Sequence, residues 1–315
     1  MNSEKCRTLR ISDICTKIVS GGTPSTRNPD YYGGSIPWLK TQEVNFNRIY
    51  ETETKITDAG LNNSSAKWIP ANSVIMAMYG ATAGKIAINK RPITTNQACC
   101  NLTINDKIAD YRYVYYNLMS RFQEIASMAV GGAQQNLNAD MIRGLEISLP
   151  PLSIQRRIAD VLSTIDDKIE LNRQTNATLE AIAQAIFKEW FVDFRYPGAT
   201  GEMVDSELGP IPKGWRVGKL GEVCRVTMGQ SPPGVSYNED GIGTPFFQGR
   251  ADFDFRFPRK RVFTTDPRRF ANKFDTLVSV RAPVGDMNIA AENCCIGRGL
   301  AAVLEKNGCY SFTYY

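Results

Sequence analysis

The chemistry open to this chain is limited first by an absence: its 315 residues include no histidine. Ser–His–Asp triads, Cys–His dyads and imidazole-ligated metals are excluded, so any reaction would rest on carboxylates, lysine or a bound cofactor. The nearest approach to a catalytic spacing is Pro29-Asp30 followed by Glu53-Thr54-Lys55. Two carboxylates and a lysine at that loose spacing could hold magnesium and activate water, as in a metal-dependent nuclease. The pattern is degenerate, and a later segment that repeats this part of the chain lacks it. Solvated loop charges account for it better.

A second short motif, Asn28-Pro29-Asp30-Tyr31, resembles the active-site tetrapeptide of amino-methyltransferases that act on DNA. It carries Asp30 where that pattern has proline, and no glycine-rich cofactor turn accompanies it. A loop is the simpler reading. The eight cysteines include the pairs Cys99-Cys100 and Cys294-Cys295 but no C-x-x-C spacing. Without histidine to complete a zinc site they read as buried, reduced thiols.

What remains is recognition. Phosphates attract Lys and Arg regardless of sequence, whereas base edges are read by Arg, Lys, Asn, Gln and apolar contacts. Loops rich in these residues beside strand-like segments are therefore candidate readers. One group, Lys40, Thr41, Gln42, Asn45, Asn47 and Arg48, follows the apolar Ile36–Leu39. A second is Tyr79, Thr82 and Lys85 in a glycine-flanked turn. Later in the chain come Gln248, Arg250, Arg281 and Arg298, with Arg256, Arg259, Lys260 and Arg261 between them as phosphate contacts or a solvated edge. Gln134, Gln135 and Asn136 could pair with adenine through their amides. Their place between a helix and a short strand suits backbone bonding in a tight turn better.

The elements that would position these residues occur twice. Ile11-Ser12-Asp13-Ile14-Cys15 matches Leu220-Gly221-Glu222-Val223-Cys224, each followed by a strand-like stretch and a turn, Ser20–Pro24 or Met228–Pro232. The order continues through Ile36–Lys40 and Thr244–Gln248, Val74–Met78 and Thr276–Val280, and Tyr111–Tyr116 and Tyr310–Tyr315. Short apolar or alternating runs, Ser73–Met78 and Lys85–Asn89, bounded by Gly, Pro and Asn, predict strands. Val114, Leu118, Phe122, Ile125 and Ala129 predict a helix over Tyr113–Ala129. The fold class is α+β. The second copy breaks off where the first begins that helix, so the chain reads as truncated in its second copy.

Between the copies lies a long helix. Ser153 is the expected N-cap after Pro150-Pro151, and apolar residues recur at Ile154, Ile158, Val161, Ile165 and Ile169, then at Leu179, Ala183, Ile186 and Trp190. Asn172 and Asn176 occupy the seam between. With no Gly or Pro in Ser153–Arg195, one helix of about 40 residues and about 60 Å is expected. A single apolar stripe of that length calls for a partner helix, and seam asparagines would fix its register. A spacer coiled coil is expected, with Ile158, Ile165, Asn172, Leu179 and Ile186 at the partner face and self-association as one way to cover it. The domain reading is 1–152, spacer helix 153–195, linker 196–214 and an incomplete second domain over 215–315.

Composition agrees with a globular chain: 43% hydrophobic, 22% charged and a net charge of +5. The basic excess permits nucleic-acid binding without establishing it. No run of apolar residues is long enough for a membrane span, and the N-terminus lacks a secretory signal, so a cytoplasmic protein is expected.

Five landmarks in this order resemble the specificity subunits of type I restriction–modification systems. They are Ser20-Gly21-Gly22-Thr23-Pro24-Ser25, Gly33-Gly34-Ser35-Ile36-Pro37-Trp38, Tyr79-Gly80-Ala81-Thr82-Ala83-Gly84-Lys85, Gly131-Gly132-Ala133-Gln134-Gln135-Asn136-Leu137, and Leu149-Pro150-Pro151-Leu152-Ser153-Ile154-Gln155-Arg156-Arg157-Ile158. The resemblance implies two target recognition domains, each reading half of a split site in double-stranded DNA, separated by long helices that set the gap. It also implies methyltransferase and motor-nuclease partner subunits, which would carry S-adenosylmethionine, ATP and magnesium. This chain would itself be non-catalytic and hold no cofactor. The alternative is a coiled-coil scaffold with an inactive reader.

Overall fold

The computed structural model describes residues 6–129 and 136–315, and the chain divides into two compact units, Met1–Arg173 and Gln174–Tyr315. Helices and strands are mixed, as expected of an α+β chain. In the first unit, strands Cys15–Ser20, Cys99–Ile104, Val74–Ala77, Ile86–Asn89 and Asn47–Ile49 form a five-stranded sheet in that order. Thr54–Ile56, Tyr32–Leu39 and Thr94–Thr95 form a smaller one. The strand Val74–Ala77 is buried on both faces. Val74 and Met76 pack with Ile11, Val114, Leu118 and Ile142, while Ile75 and Ala77 pack with Leu39 of the smaller sheet. Burial on both sides is why this segment reads as a continuous apolar run rather than an alternating one.

The helix expected over Tyr113–Ala129 is two helices, Tyr111–Ser120 and Phe122–Met128, divided at Arg121. It starts early because Asp110 caps it, accepting from the Arg112 and Tyr113 backbone N–H groups at 2.9 and 3.4 Å. Burial would raise the Asp110 pKa, but bonds from Arg112 and the helix N-terminus hold it below the usual carboxylate range. Val114, Leu118 and Ile125 are buried, as their spacing predicts.

The second unit repeats the main-chain bonds that close the first. In the first, Gly21 N–H donates to Cys99 O (3.2 Å), Gly22 N–H to Thr95 O (2.8 Å), Asn96 N–H to Leu39 O (2.9 Å) and Met78 N–H to Ala98 O (2.8 Å). Their counterparts are Gly229 N–H to Leu300 O, Gln230 N–H to Ile296 O, Gly297 N–H to Phe247 O and Val280 N–H to Gly299 O, all at 2.9 Å. Tyr32 and Tyr237 each donate a hydroxyl to a turn carbonyl, Pro24 O at 2.7 Å and Pro232 O at 2.9 Å. Glycine is required at the turn: a Cβ on Gly21 would overlap the Thr95 carbonyl, and one on Gly229 the Gly297 carbonyl. The Tyr111–Tyr116 match also holds, since Tyr310–Tyr314 is helical.

The long helix runs Leu152–Phe187, followed by a π-helical turn at Lys188–Val192. It begins one residue before the expected cap. The Pro151 carbonyl takes the Ile154 and Gln155 N–H groups at 2.8 and 3.0 Å, leaving Ser153 inside the first turn. Gln155, 1% exposed, explains the junction motif. Its amide donates to Pro150 O at 2.8 Å and accepts from Asp110 N–H at 3.1 Å, tying the helix to the loop before Tyr111. The helix ends short of Arg195 because Phe194 takes a left-handed conformation (φ 58°) and Arg195 turns back onto Glu189. Ile158, Ile165, Leu179 and Ile186 are exposed along it, as are Asn172 and Asn176.

Each unit grips its part of this helix with an arginine and a tyrosine. In the first, Arg48 pairs with Asp167 and donates to Ser163 O at 3.2 Å, and the Tyr116 hydroxyl donates to Asp166 at 2.7 Å. In the second, Arg256 pairs with Glu180 and donates to the Tyr315 hydroxyl at 2.6 Å, which donates to Glu180 at 3.1 Å. The arginines are equivalent: Arg48 lies opposite Ile88 in its sheet, and the Arg256 carbonyl accepts from the matching Ile289 N–H at 2.8 Å. Burial would lower the Arg48 pKa, but its bonds to Asp167 and Tyr116 hold it raised. Arg48, a candidate DNA contact by its position, is thus engaged by the long helix.

Two predictions follow from this packing. Arg48→Ala should destabilise the first unit by roughly 1–2 kcal/mol, the size of a partly screened ion pair plus hydrogen bonds, as read by urea denaturation. Loss of DNA binding with unchanged stability would instead place Arg48 on DNA. Cys6 and Cys309 are exposed, whereas burial pushes the Cys100 and Cys294 thiols up to about 12. A maleimide should label Cys6 and Cys309 in the folded protein and reach Cys99, Cys100, Cys294 and Cys295 only on unfolding.

Candidate nucleic-acid interface

The main-chain bonds that close each unit's sheets bring several loops to one edge. In the second unit Phe247 ends a strand that runs into Gln248, and a short 3-10 turn follows at Arg250–Asp252. Asp252, buried, holds that turn by accepting from the Gln248 N–H at 2.7 Å. Arg281 follows Val280, whose N–H is bonded to Gly299 O, and Arg298 sits beside it in the Gly297–Leu300 turn. The Ser231 hydroxyl accepts from the Arg298 backbone N–H at 3.3 Å.

The result is a concavity of about 190 Å³ lined by Ser231, Gln248, Arg250, Arg281 and Arg298. All four reader candidates from this half of the sequence line it. An adjoining concavity of about 550 Å³ shares Gln248 and Arg250 and adds Tyr237, Phe246, Arg261 and Pro283. Arg250 pairs with Asp286 at 2.7 Å and Arg261 with Asp252 at 2.6 Å. The guanidinium groups of Arg281 and Arg298 have no ion pair or hydrogen bond among the described residues. The basic stretch is neutralised: Arg256 pairs with Glu180, Arg259 with Asp254, Lys260 with Glu292 and Arg261 with Asp252.

In the first unit the same bonds place Lys40 after Leu39, Tyr79 after Met78, and Gln97 between Asn96 and Ala98. Lys40 lies 5.9 Å over the Trp38 ring, and Glu43 closes the Thr41–Glu43 turn by accepting from the Lys40 N–H at 3.0 Å. Gln42, Tyr79 and Gln97 are exposed, whereas Thr41 is buried. Gln97, which accepts from the Thr23 hydroxyl, was not singled out from its residue type. The register of the repeat identifies it, since it holds the place of Arg298.

The remaining first-unit candidates lie in a separate cluster. Lys85 donates to Asn45 at 2.8 Å, the Asn45 N–H donates to Asn47 at 2.9 Å, and Arg48 is held by the long helix. Thr82 caps its own turn on the Tyr79 carbonyl at 3.3 Å. Gln134 and Gln135 lie outside the described residues. Asn136 forms a bridge with Tyr79, and Leu137 N–H donates to Met78 O at 2.8 Å, so these two residues are joined to the segment that follows the strand Val74–Ala77.

The two catalytic spacings are taken up in a 3-10 turn, Pro29–Tyr31, and in the strand Thr54–Ile56. Asn28 caps Pro29–Tyr31 by accepting from the Asp30 N–H at 3.1 Å, and Lys55 faces Glu51 at 3.7 Å. Among the described residues no three Cys, Asp or Glu side chains form a metal-binding group, and no helix is long and apolar enough to cross a membrane.

The chain is 34% identical to the type I restriction enzyme MjaIX specificity subunit of Methanocaldococcus jannaschii over 243 residues, 75% of this chain and 56% of that protein. It is 29% identical over 156 residues to the EcoR124I/EcoR124II specificity subunit of Escherichia coli, 48% of this chain and 38% of that one. The chain spans about half the length of the curated relatives it matches. The type I restriction–modification S subunit from M. genitalium shares its fold, with a TM-score of 0.56 at 18% identity over 99% of this chain and 75% of that one. The family model described as type I restriction modification DNA specificity domain matches residues 3–181, more than half of the sequence, and the chain belongs to that family.

Proposed function

We propose that this chain is the DNA-reading component of a type I restriction–modification assembly, and that it directs methyltransferase and endonuclease subunits to a bipartite target without doing chemistry itself. The observation that carries this reading is the convergence of Gln248, Arg250, Arg281 and Arg298, from separate segments, on one concavity at a sheet edge. Lys40, Gln42, Tyr79 and Gln97 leave the matching edge of the first unit. Such a set suits base-edge and phosphate contacts in a duplex groove.

The readers would be residues 1–152 and 215–315, with the helix over 153–195 as spacer and 196–214 as linker. The exposed positions Ile158, Ile165, Asn172, Leu179 and Ile186 are the face for a partner subunit or a second copy of this helix. S-adenosylmethionine, ATP and magnesium would reside on the partner subunits. The setting is the cytoplasm, where the partners meet DNA.

The test is to co-purify the chain with its methyltransferase subunit, map methylation across DNA and measure binding against salt. A split methylated motif is expected, with binding weakened by salt at a log–log slope of about −0.9 per phosphate contacted. Specific sites should be bound at least about 10³-fold more tightly than random duplex. A stable complex that methylates nothing and prefers no sequence would overturn the reading.

A further inference from the structure

Resting on that reading, we infer that the second unit selects guanine, through Arg281 and Arg298, and that the first unit does not use the same contacts. Arginine is the side chain that pairs bidentately with the O6 and N7 acceptors of guanine in the major groove. Of the arginines lining the second unit's two concavities, Arg250 and Arg261 are tied to Asp286 and Asp252. Arg281 and Arg298 are exposed and carry unengaged guanidinium groups on the same concavity.

The main chain at both positions is fixed. The N–H of Val280, the residue before Arg281, bonds to Gly299 O at 2.9 Å, and the Arg298 N–H bonds to Ser231 at 3.3 Å. A reader needs this combination of a fixed base and a side chain left free for its target. The matching positions of the first unit hold Tyr79 and Gln97. Neither offers a guanidinium fork, and an amide suits adenine instead. Two units with one backbone frame thus present different hydrogen-bonding groups, which is what an asymmetric bipartite target demands.

The test is selection from a randomised duplex pool by the full-length chain, comparing wild type with Arg281→Gln, Arg298→Gln and Arg298→Lys. The variants alter exposed side chains, and circular dichroism verifies that each is folded. Wild type should enrich one half-site with a fixed guanine. Arg298→Gln should lose that guanine by about tenfold or more and move toward adenine, while Arg298→Lys, which keeps the charge and can still reach guanine, should keep a weakened guanine preference and the salt slope. Replacing the guanine by 7-deazaguanine should weaken wild type and leave Arg298→Gln unaffected.

If all three variants enrich the wild-type motif unchanged, the arginines do not read bases and the inference is wrong. Equal weakening on every sequence would assign them to phosphates and also overturn it. If wild type enriches nothing, the DNA-reading function itself fails and this inference with it.

Discussion

The loops that face the candidate DNA-binding edge are anchored to the sheets by main-chain hydrogen bonds, and the side chains of Glu43, Asp252 and Ser231 close individual turns. Four such bonds close each unit, from Gly21, Gly22, Asn96 and Met78 in the first and from Gly229, Gln230, Gly297 and Val280 in the second. Backbone N–H and C=O groups are present whatever the residue. Lys40 can therefore stand where Gln248 stands, Tyr79 where Arg281 stands and Gln97 where Arg298 stands, without moving the frame. The tight turn does constrain the sequence, because Gly21 and Gly229 approach a neighbouring carbonyl too closely for a Cβ, and the turn-closing carboxylates Glu43 and Asp252 constrain it too. A frame that leaves the remaining loop side chains free is suited to carry different specificities.

The same principle separates arginines that look alike in sequence. Arg48 and Arg256 each lie within reach of a carboxylate on the long helix and are committed to it, together with Tyr116 and Tyr315. In the Arg256–Glu180 pair the side chains are only 28% and 15% exposed, so it is shielded from salt better than a surface pair, whereas Arg48, itself 16% exposed, faces an Asp167 that is 64% exposed. Arg250–Asp286 is more open, with 56% and 46% exposure, and an exposed pair contributes at most about 1 kcal/mol. A phosphate could take over Arg250 at little cost.

Much of the fold was legible in the sequence. The repeat, the strands Val74–Ala77 and Ile86–Asn89 and the long helix all follow from pattern, because both-face burial leaves a continuous apolar run and an uninterrupted helical stripe leaves a strong periodic signal. Helix ends were less legible, since they depend on tertiary partners: Asp110 moves one start to Tyr111, and the Pro151 carbonyl displaces Ser153 as cap. In the second unit Gln248, Arg250, Arg281 and Arg298 were identified by residue type and repeat position, and the fold gathers them. In the first unit the same reasoning also drew in Arg48, whose acidic partner Asp167 lies far away in sequence. It passed over Gln97, which becomes visible only through the register shared with Arg298.

A net charge of +5 is small for the DNA-reading role proposed for these 315 residues, and the pairing of its arginines shows why charge alone is a poor guide. Arg256, Arg259, Lys260 and Arg261 form the densest basic run in the second unit, yet each has an acidic partner. Non-specific attraction to phosphate is therefore weakened where sequence counting would place it. Since non-specific affinity comes almost wholly from phosphate neutralisation, a muted electrostatic term raises the relative weight of base contacts. Under the proposed function, discrimination would then fall to the few unpaired groups at the sheet edge. This arrangement suits a protein that must pass over many wrong sites before stopping at a right one.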